Sequence, residues 1–193
     1  MNTIERAKKI MLSPKTEWQV IDTEETTTSK STTMYLILLA LIPAIGWFIG
    51  YGLVGYNILG VHLGSVSAGI RQAIISYVGS IASAYITAYI INMLAGKFQS
   101  KGNFSKAFQL VVYSYTPMFL AGALYIIPSL GTLAGIVGLY GLYILYLGIA
   151  PMMKTPEEKV TPYYLSSIVC VILVFFLFST LLSALYIQKG ITF

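Results

Sequence analysis

Met34-Tyr-Leu-Ile-Leu-Leu-Ala-Leu-Ile-Pro-Ala-Ile-Gly-Trp-Phe-Ile-Gly-Tyr-Gly-Leu53 contains no charged side chain. As an α-helix, rising about 1.5 Å per residue, it matches the roughly 30 Å hydrocarbon core of a bilayer. It is apolar all round rather than along one stripe, unlike a surface helix of a soluble domain. The stretch predicts a transmembrane helix, and four similar runs follow. The second lies between Arg71 and Lys97, the third at about 105–127, the fourth at about 129–150 and the fifth at 163–187. Pro128-Ser129 leaves so short a link that the third and fourth must form a tight helical hairpin. The fold class is an all-α polytopic membrane bundle of five transmembrane helices, residues 33–188. A short amphipathic N-terminal cytoplasmic segment and linker, residues 1–32, precedes it.

The composition agrees. Hydrophobic residues make up 56% of the 193 and charged residues only 10%, against about 25% charged in ordinary soluble domains. All seven acids fall at the two ends: Glu5, Glu17, Asp22, Glu24 and Glu25, then Glu157 and Glu158. The intervening chain has no carboxylate, as expected where each would cost several kcal/mol in hydrocarbon. The net charge of +5 does not indicate nucleic acid, because the lysines sit in short loops between apolar runs instead of forming one basic face. Anionic lipid headgroups suit them better. Cys170, the one cysteine, lies in an apolar run and reads as a small buried hydrophobe. No apolar core directly follows the basic start, so a cleaved secretory signal is not expected.

Ile4, Ala7, Ile10 and Met11 share one helical face, with Arg6, Lys8 and Lys9 largely off it, which predicts a helix lying on the membrane surface. Ser13-Pro14 reads as an N-cap followed by proline at the first helical position. The next segment carries Trp18 and Ile21. It reads equally as an interfacial anchor and as a short helix packed on the chain's own cytoplasmic face. Residues 23–33 read as a solvated linker, and the glycine-rich stretch 52–69 as an extracytoplasmic loop that dips towards the bilayer. Ten cations (Arg6, Lys8, Lys9, Lys15, Lys30, Lys97, Lys101, Lys106, Lys154, Lys159) fall on one side of the five runs, and Arg71 and Lys189 on the other. The positive-inside rule places the ten in the cytoplasm, hence the N-terminus inside and the C-terminus outside.

Catalytic constellations are missing. A single His and no carboxylate at membrane depth leave no metal cluster, protease dyad or phosphate cradle, so no enzyme activity and no cofactor are expected. His62, in the glycine-rich loop, reads as structural rather than as a proton relay. Arg71 is a candidate lipid or anion contact, with snorkelling at the outer interface as the plainer alternative. Gly46/Gly50, Ser80/Ala84/Ala88 and Gly131/Gly135/Gly138 form small-residue seams. They suit close packing within the chain, with a homo-oligomer contact as the alternative. The most distinctive stretch is Gln109-Leu-Val-Val-Tyr-Ser-Tyr-Thr-Pro117. Pro117 removes one backbone hydrogen bond and displaces the carbonyl of Tyr113, while Ser114 and Thr116 supply hydroxyls that can re-satisfy freed groups. Gln109, Tyr113 and Thr116, spaced by four and three, form one stripe. With Ser114 and Pro117 they are the candidate functional seam, expected to face the bundle interior.

Three segments together resemble the Yip1 family, specifically its bacterial branch. They are Ile10-Met-Leu-Ser-Pro-Lys-Thr-Glu-Trp-Gln-Val-Ile21 with the glutamates that follow, Tyr113-Ser-Tyr-Thr-Pro117, and Tyr140-Gly-Leu-Tyr-Ile-Leu-Tyr-Leu-Gly148 leading into 154–162. The resemblance spans nearly the whole chain. It implies five membrane helices, a cytoplasmic N-terminus and residence in the cell (inner) membrane. Eukaryotic Yip1-like proteins associate with small Rab-type GTPases in vesicle traffic and carry an Asp-Leu-x-Gly-Pro element that this chain lacks. The expected function is a non-enzymatic integral membrane protein that binds a membrane or cytoplasmic protein partner, or organises the bilayer. The alternative is a passive carrier or channel for a small or lipid-like solute, built on the Pro117 seam.

Overall fold

The structure is a computed structural model. It describes the backbone of residues 2–24, 28–58 and 61–188, with side chains for all of these except 28–31, 56–58, 61–63 and 177–188. Five helical stretches are long and apolar enough to cross a membrane: Thr32–Val54, Val66–Phe98, Phe104–Ile126, Pro128–Met153 and Glu157–Phe176. The third is the least apolar and the most central. Its hydropathic core is 72% buried inside the chain, against 17–33% for the other four. This is the placement expected when polar groups must be shielded from lipid by neighbouring helices.

Two short helices come first, α1 (Thr3–Leu12) and α2 (Pro14–Thr23). Asn2 caps α1 by accepting from the Ile4 amide, and Pro14 opens α2 at the position where a missing N–H does no harm. The first span is α3 (Thr28–Trp47), extended by π-helical turns at Phe48–Val54. The expected linker therefore ends early: residues 28–33 already belong to α3, and Thr32 is buried.

The glycine-rich stretch after it is more regular than a dipping loop. Strands β1 (Tyr56–Ile58) and β2 (Val61–Leu63) pair antiparallel, Tyr56 opposite Leu63. Ser65 then caps α4 (Val66–Leu94), its hydroxyl oxygen accepting from the Ala68 amide at 3.2 Å. The expected readings of the His62 side chain and of Lys189 lie outside the described residues. Arg71 falls inside the first turns of α4 and is exposed.

The third span is broken into α5 (Phe104–Ser114) and α6 (Thr116–Ala121), with a 3₁₀ extension at Gly122–Ile126. After a second 3₁₀ turn at Pro128–Leu130, the fourth span continues as α7 (Gly131–Gly138) and α8 (Tyr140–Met153). The fifth is α9 (Glu157–Gln188). Tyr163 of α9 donates to the Ile91 carbonyl of α4 at 2.6 Å and stacks on Phe98. At the same end, the Lys101 amide donates to the Met153 carbonyl at 2.8 Å.

The small-residue seam of the first span is consumed within the chain. A Cβ on Gly46 or Gly50 would overlap the carbonyls of Gly122 or Tyr125, and one on Gly122 would lie 2.5 Å from the Pro43 Cβ. Small residues here let the first and third spans approach at backbone distance. Ala84 and Ala88 are likewise buried, whereas Gly135 meets nothing within 4 Å, so the seam of the fourth span is only partly used.

Candidate functional site

The sequence marked Pro117, and the chain breaks two residues before it. Lacking an N–H, Pro117 leaves the Tyr113 carbonyl without its helical partner. The Thr116 hydroxyl donates to that carbonyl at 2.7 Å, and the Ser114 hydroxyl donates to Leu110 at the same distance. Local hydroxyls thus satisfy a break inside a spanning segment where water is scarce. Gln109, Tyr113, Ser114 and Thr116 are all buried, so the stripe faces inward. Tyr115, on the other side, lies with its hydroxyl 3.0 Å from Ser83 Oγ and 3.1 Å from Thr87 Oγ1 of α4.

The stripe meets the first span through aromatic and hydroxyl contacts. Tyr35 sits edge-on to Tyr113, ring centroids 5.0 Å apart, and its hydroxyl lies 2.7 Å from Thr116 Oγ1. Thr32 Oγ1 is 3.5 Å from the Tyr113 hydroxyl. Gln109 is the exception: fully buried, it has no hydrogen-bond partner for either amide atom among the described residues.

The N-terminal hairpin covers this seam from the side opposite Tyr115. Trp18 is fully buried, its indole N–H donating to the Ile144 carbonyl of α8 at 3.0 Å. Gly148 makes the seat: a Cβ there would lie 2.6 Å from Trp18 Cε2. Of the two readings of Trp18 left open by the sequence, the packed helix therefore holds and the lipid anchor does not. Tyr140 donates to the Met11 carbonyl at 3.0 Å, and Lys106 donates to the Ile21 and Asp22 carbonyls. Lys154 pairs with the Asp22 carboxylate.

Arg6 departs most from expectation. Placed by the helical pattern largely off the apolar face, it is buried between α2 and the third span. It pairs with Glu17 at 2.6 Å and also with Glu24, and its guanidinium carbon lies 5.5 Å from the Tyr113 ring centroid. The Arg6 and Glu17 side chains are only 6% and 5% exposed. A guanidinium fork suits two carboxylates and an aromatic face together. The sequence did carry a signal. Arg6 is four residues from Ile10, hence on its face, and Glu17 lies on α2 while Glu24 follows directly at its C-cap. Tyr35 and Lys106 are the other contributors that the motif missed.

The structure thus joins Trp18 to the seam of Gln109, Tyr113, Ser114, Thr116 and Pro117. Arg71 stands apart, near the opposite end of the bundle. Among the described residues, no group of three His, Cys, Asp or Glu could hold a metal ion.

The Yip1 domain family model matches residues 8–180. The chain belongs to the Yip1 family. It is a Yip1-domain integral membrane protein, and the matched region takes in α2, Trp18 and the whole polar seam. Curated relatives include the inner membrane protein YohC of Escherichia coli strain K12 and its counterpart in E. coli O6:H1 strain CFT073. Each is 30% identical over 117 residues, which is 60% of this chain and 60% of the relative. The chain thus aligns with about three-fifths of the length of these relatives. No solved structure matches it.

Proposed function

We propose that this Yip1-family chain is a non-enzymatic inner-membrane protein that presents a folded cytoplasmic surface to a protein partner. The N-terminus and the 97–106 and 154–159 loops face the cytoplasm, and the C-terminus lies outside. The observation that supports this reading best is the filled seam. Trp18, Tyr35 and Tyr113 occupy the space beside the broken third span, and the Arg6–Glu17–Glu24 cluster closes over it. What α2 offers outward is a ready surface of Lys15, Thr16, Gln19 and Val20, all exposed.

The test is photo-crosslinking in native membranes, with a benzophenone side chain at position 19 or 20 and, as a control, at 74, which faces outward from α4. Discrete protein adducts from 19 and 20, absent from 74, are expected. Equal yields of lipid adducts alone from all three positions would overturn the reading.

One observation favours the carrier instead. The Gln109 amide, without a hydrogen-bond partner among the described residues, lies one helical turn before Tyr113. On that reading the hairpin must leave before a solute can reach Gln109. Proteoliposomes would then show a solute flux that an Arg6→Ala substitution increases. The partner-binding reading expects no flux in either form.

A further inference from the structure

On the lipid-facing side of α1, a groove of about 420 Å³ runs between that helix and the first and third spans. Its walls are Ala7 and Met11 from α1, Leu39 and Ile42 from α3, and Leu120 from α6. Leu39, Ile42 and Leu120 belong to membrane spans, so the groove opens into hydrocarbon rather than into water. Ile4 and Leu12 are 76% and 72% exposed at the two ends of α1. Both lie on the side of α1 that the bundle leaves uncovered, while Ala7 and Ile10 are buried against it. The groove has the size of a small-ligand site. A helix about 10 Å across would fill it in roughly one turn, whereas an extended acyl chain fits along it.

The charge at its rim selects the headgroup. Four other cations of this region are engaged. Arg6 is held by Glu17 and Glu24, Lys9 lies 2.9 Å from Glu5, Lys106 lies on the end of α2, and Lys154 pairs with Asp22. The Lys9 contact also holds the Glu5 carboxyl below its usual range, through a hydrogen bond and charge attraction. Lys8 is exposed, lines the groove and has no partner among the described residues. One uncompensated ammonium at the mouth of an apolar slot matches a lipid with a net negative headgroup and one chain in the slot. We infer that the α1–α3–α6 groove is a binding site for an anionic phospholipid of the cytoplasmic leaflet, its phosphate on Lys8 and one acyl chain along Leu39, Ile42 and Leu120. The site is independent of the protein-partner surface, which lies on the exposed side of α2.

The experiment uses the full chain in nanodiscs of equal phosphatidylglycerol and phosphatidylcholine. The chain is released into mild detergent, and retained lipids are counted by native mass spectrometry. The intact chain should retain phosphatidylglycerol preferentially. Lys8→Gln should cut that retention about fivefold, the equivalent of roughly 1 kcal/mol per surface lysine, and leave phosphatidylcholine unchanged. Leu120→Trp, at a half-exposed position where folding is safe, should fill the groove and remove both lipids. Lys15→Gln, which alters a lysine outside the groove, should change nothing. Equal retention of the two lipids by the intact chain, no effect of Lys8→Gln, retention untouched by Leu120→Trp, or a loss with Lys15→Gln as large as with Lys8→Gln would each overturn the assignment.

Discussion

Replacing Arg6 by alanine tests the buried cluster that ties the N-terminal hairpin to the bundle. Glu17 has 5% of its side chain exposed and its one described ion-pair partner is Arg6, so the substitution leaves a buried carboxylate uncompensated. Breaking a buried pair in this way costs about 3–5 kcal/mol, and loss of the cation over Tyr113 adds about 1 kcal/mol. At 1.4 kcal/mol per tenfold, the undocked hairpin becomes more populated by about a thousandfold or more. Glu24 is 29% exposed and turns to water at little cost. The double variant Arg6→Met/Glu17→Leu removes both buried charges while keeping apolar volume, so it should return close to the parent. The assay is maleimide labelling of a cysteine at position 10, where the native Ile10 is fully buried, in a Cys170→Ser background. Labelling should accelerate about a thousandfold in Arg6→Ala and far less in the double variant. Equal rates in the single and double variants would refute the argument, because they would mean that the carboxylate left behind carries no penalty.

Three other outcomes follow from the same packing. Gly148→Ala places a Cβ against Trp18 and should weaken docking by about 1–3 kcal/mol, read as faster labelling at position 10 with all five spans still inserted. Thr116→Val removes both the donor to the Tyr113 carbonyl and the partner of the Tyr35 hydroxyl. Thermal stability in detergent should fall by about 1–3 kcal/mol, and Thr116→Ser should retain most of it. Reporter fusions after residues 101 and 156 should read cytoplasmic, and those after 62 and 193 extracytoplasmic. A cytoplasmic C-terminus would contradict the topology.

The five spans were legible because each is a long run without acids, a signal set by bilayer thickness and independent of tertiary contacts. The inward direction of Gln109, Tyr113 and Thr116 was legible for a related reason: polar groups at that depth have nowhere else to go. The exact break was not. Pro117 predicts a disturbed helix, but only the Thr116 hydroxyl on Tyr113 and the contacts of Tyr115 with α4 decide that the helix parts at 115. The place of Trp18 was open because its seat, Gly148 and the Ile144 carbonyl, lies about 130 residues away in sequence. A helical pattern reports amphipathicity and not which surface receives the apolar face. Arg6 was misjudged because charge is normally read as exposure. Its burial depends on Glu17 and Glu24, 11 and 18 residues away, which pair with it only once α2 folds back on α1.

The N-terminal hairpin is built into the bundle rather than lying on the lipid. The direct measurement is fluorescence quenching of Trp18 as the sole tryptophan, in a Trp47→Phe chain reconstituted in vesicles. The expected result is a blue-shifted emission that resists both aqueous acrylamide and brominated acyl chains, because Trp18 is enclosed by Gly148, Leu110 and the Ile144 carbonyl. Strong quenching by brominated lipid, as for an interfacial anchor, or by acrylamide, as for a free segment, would contradict it.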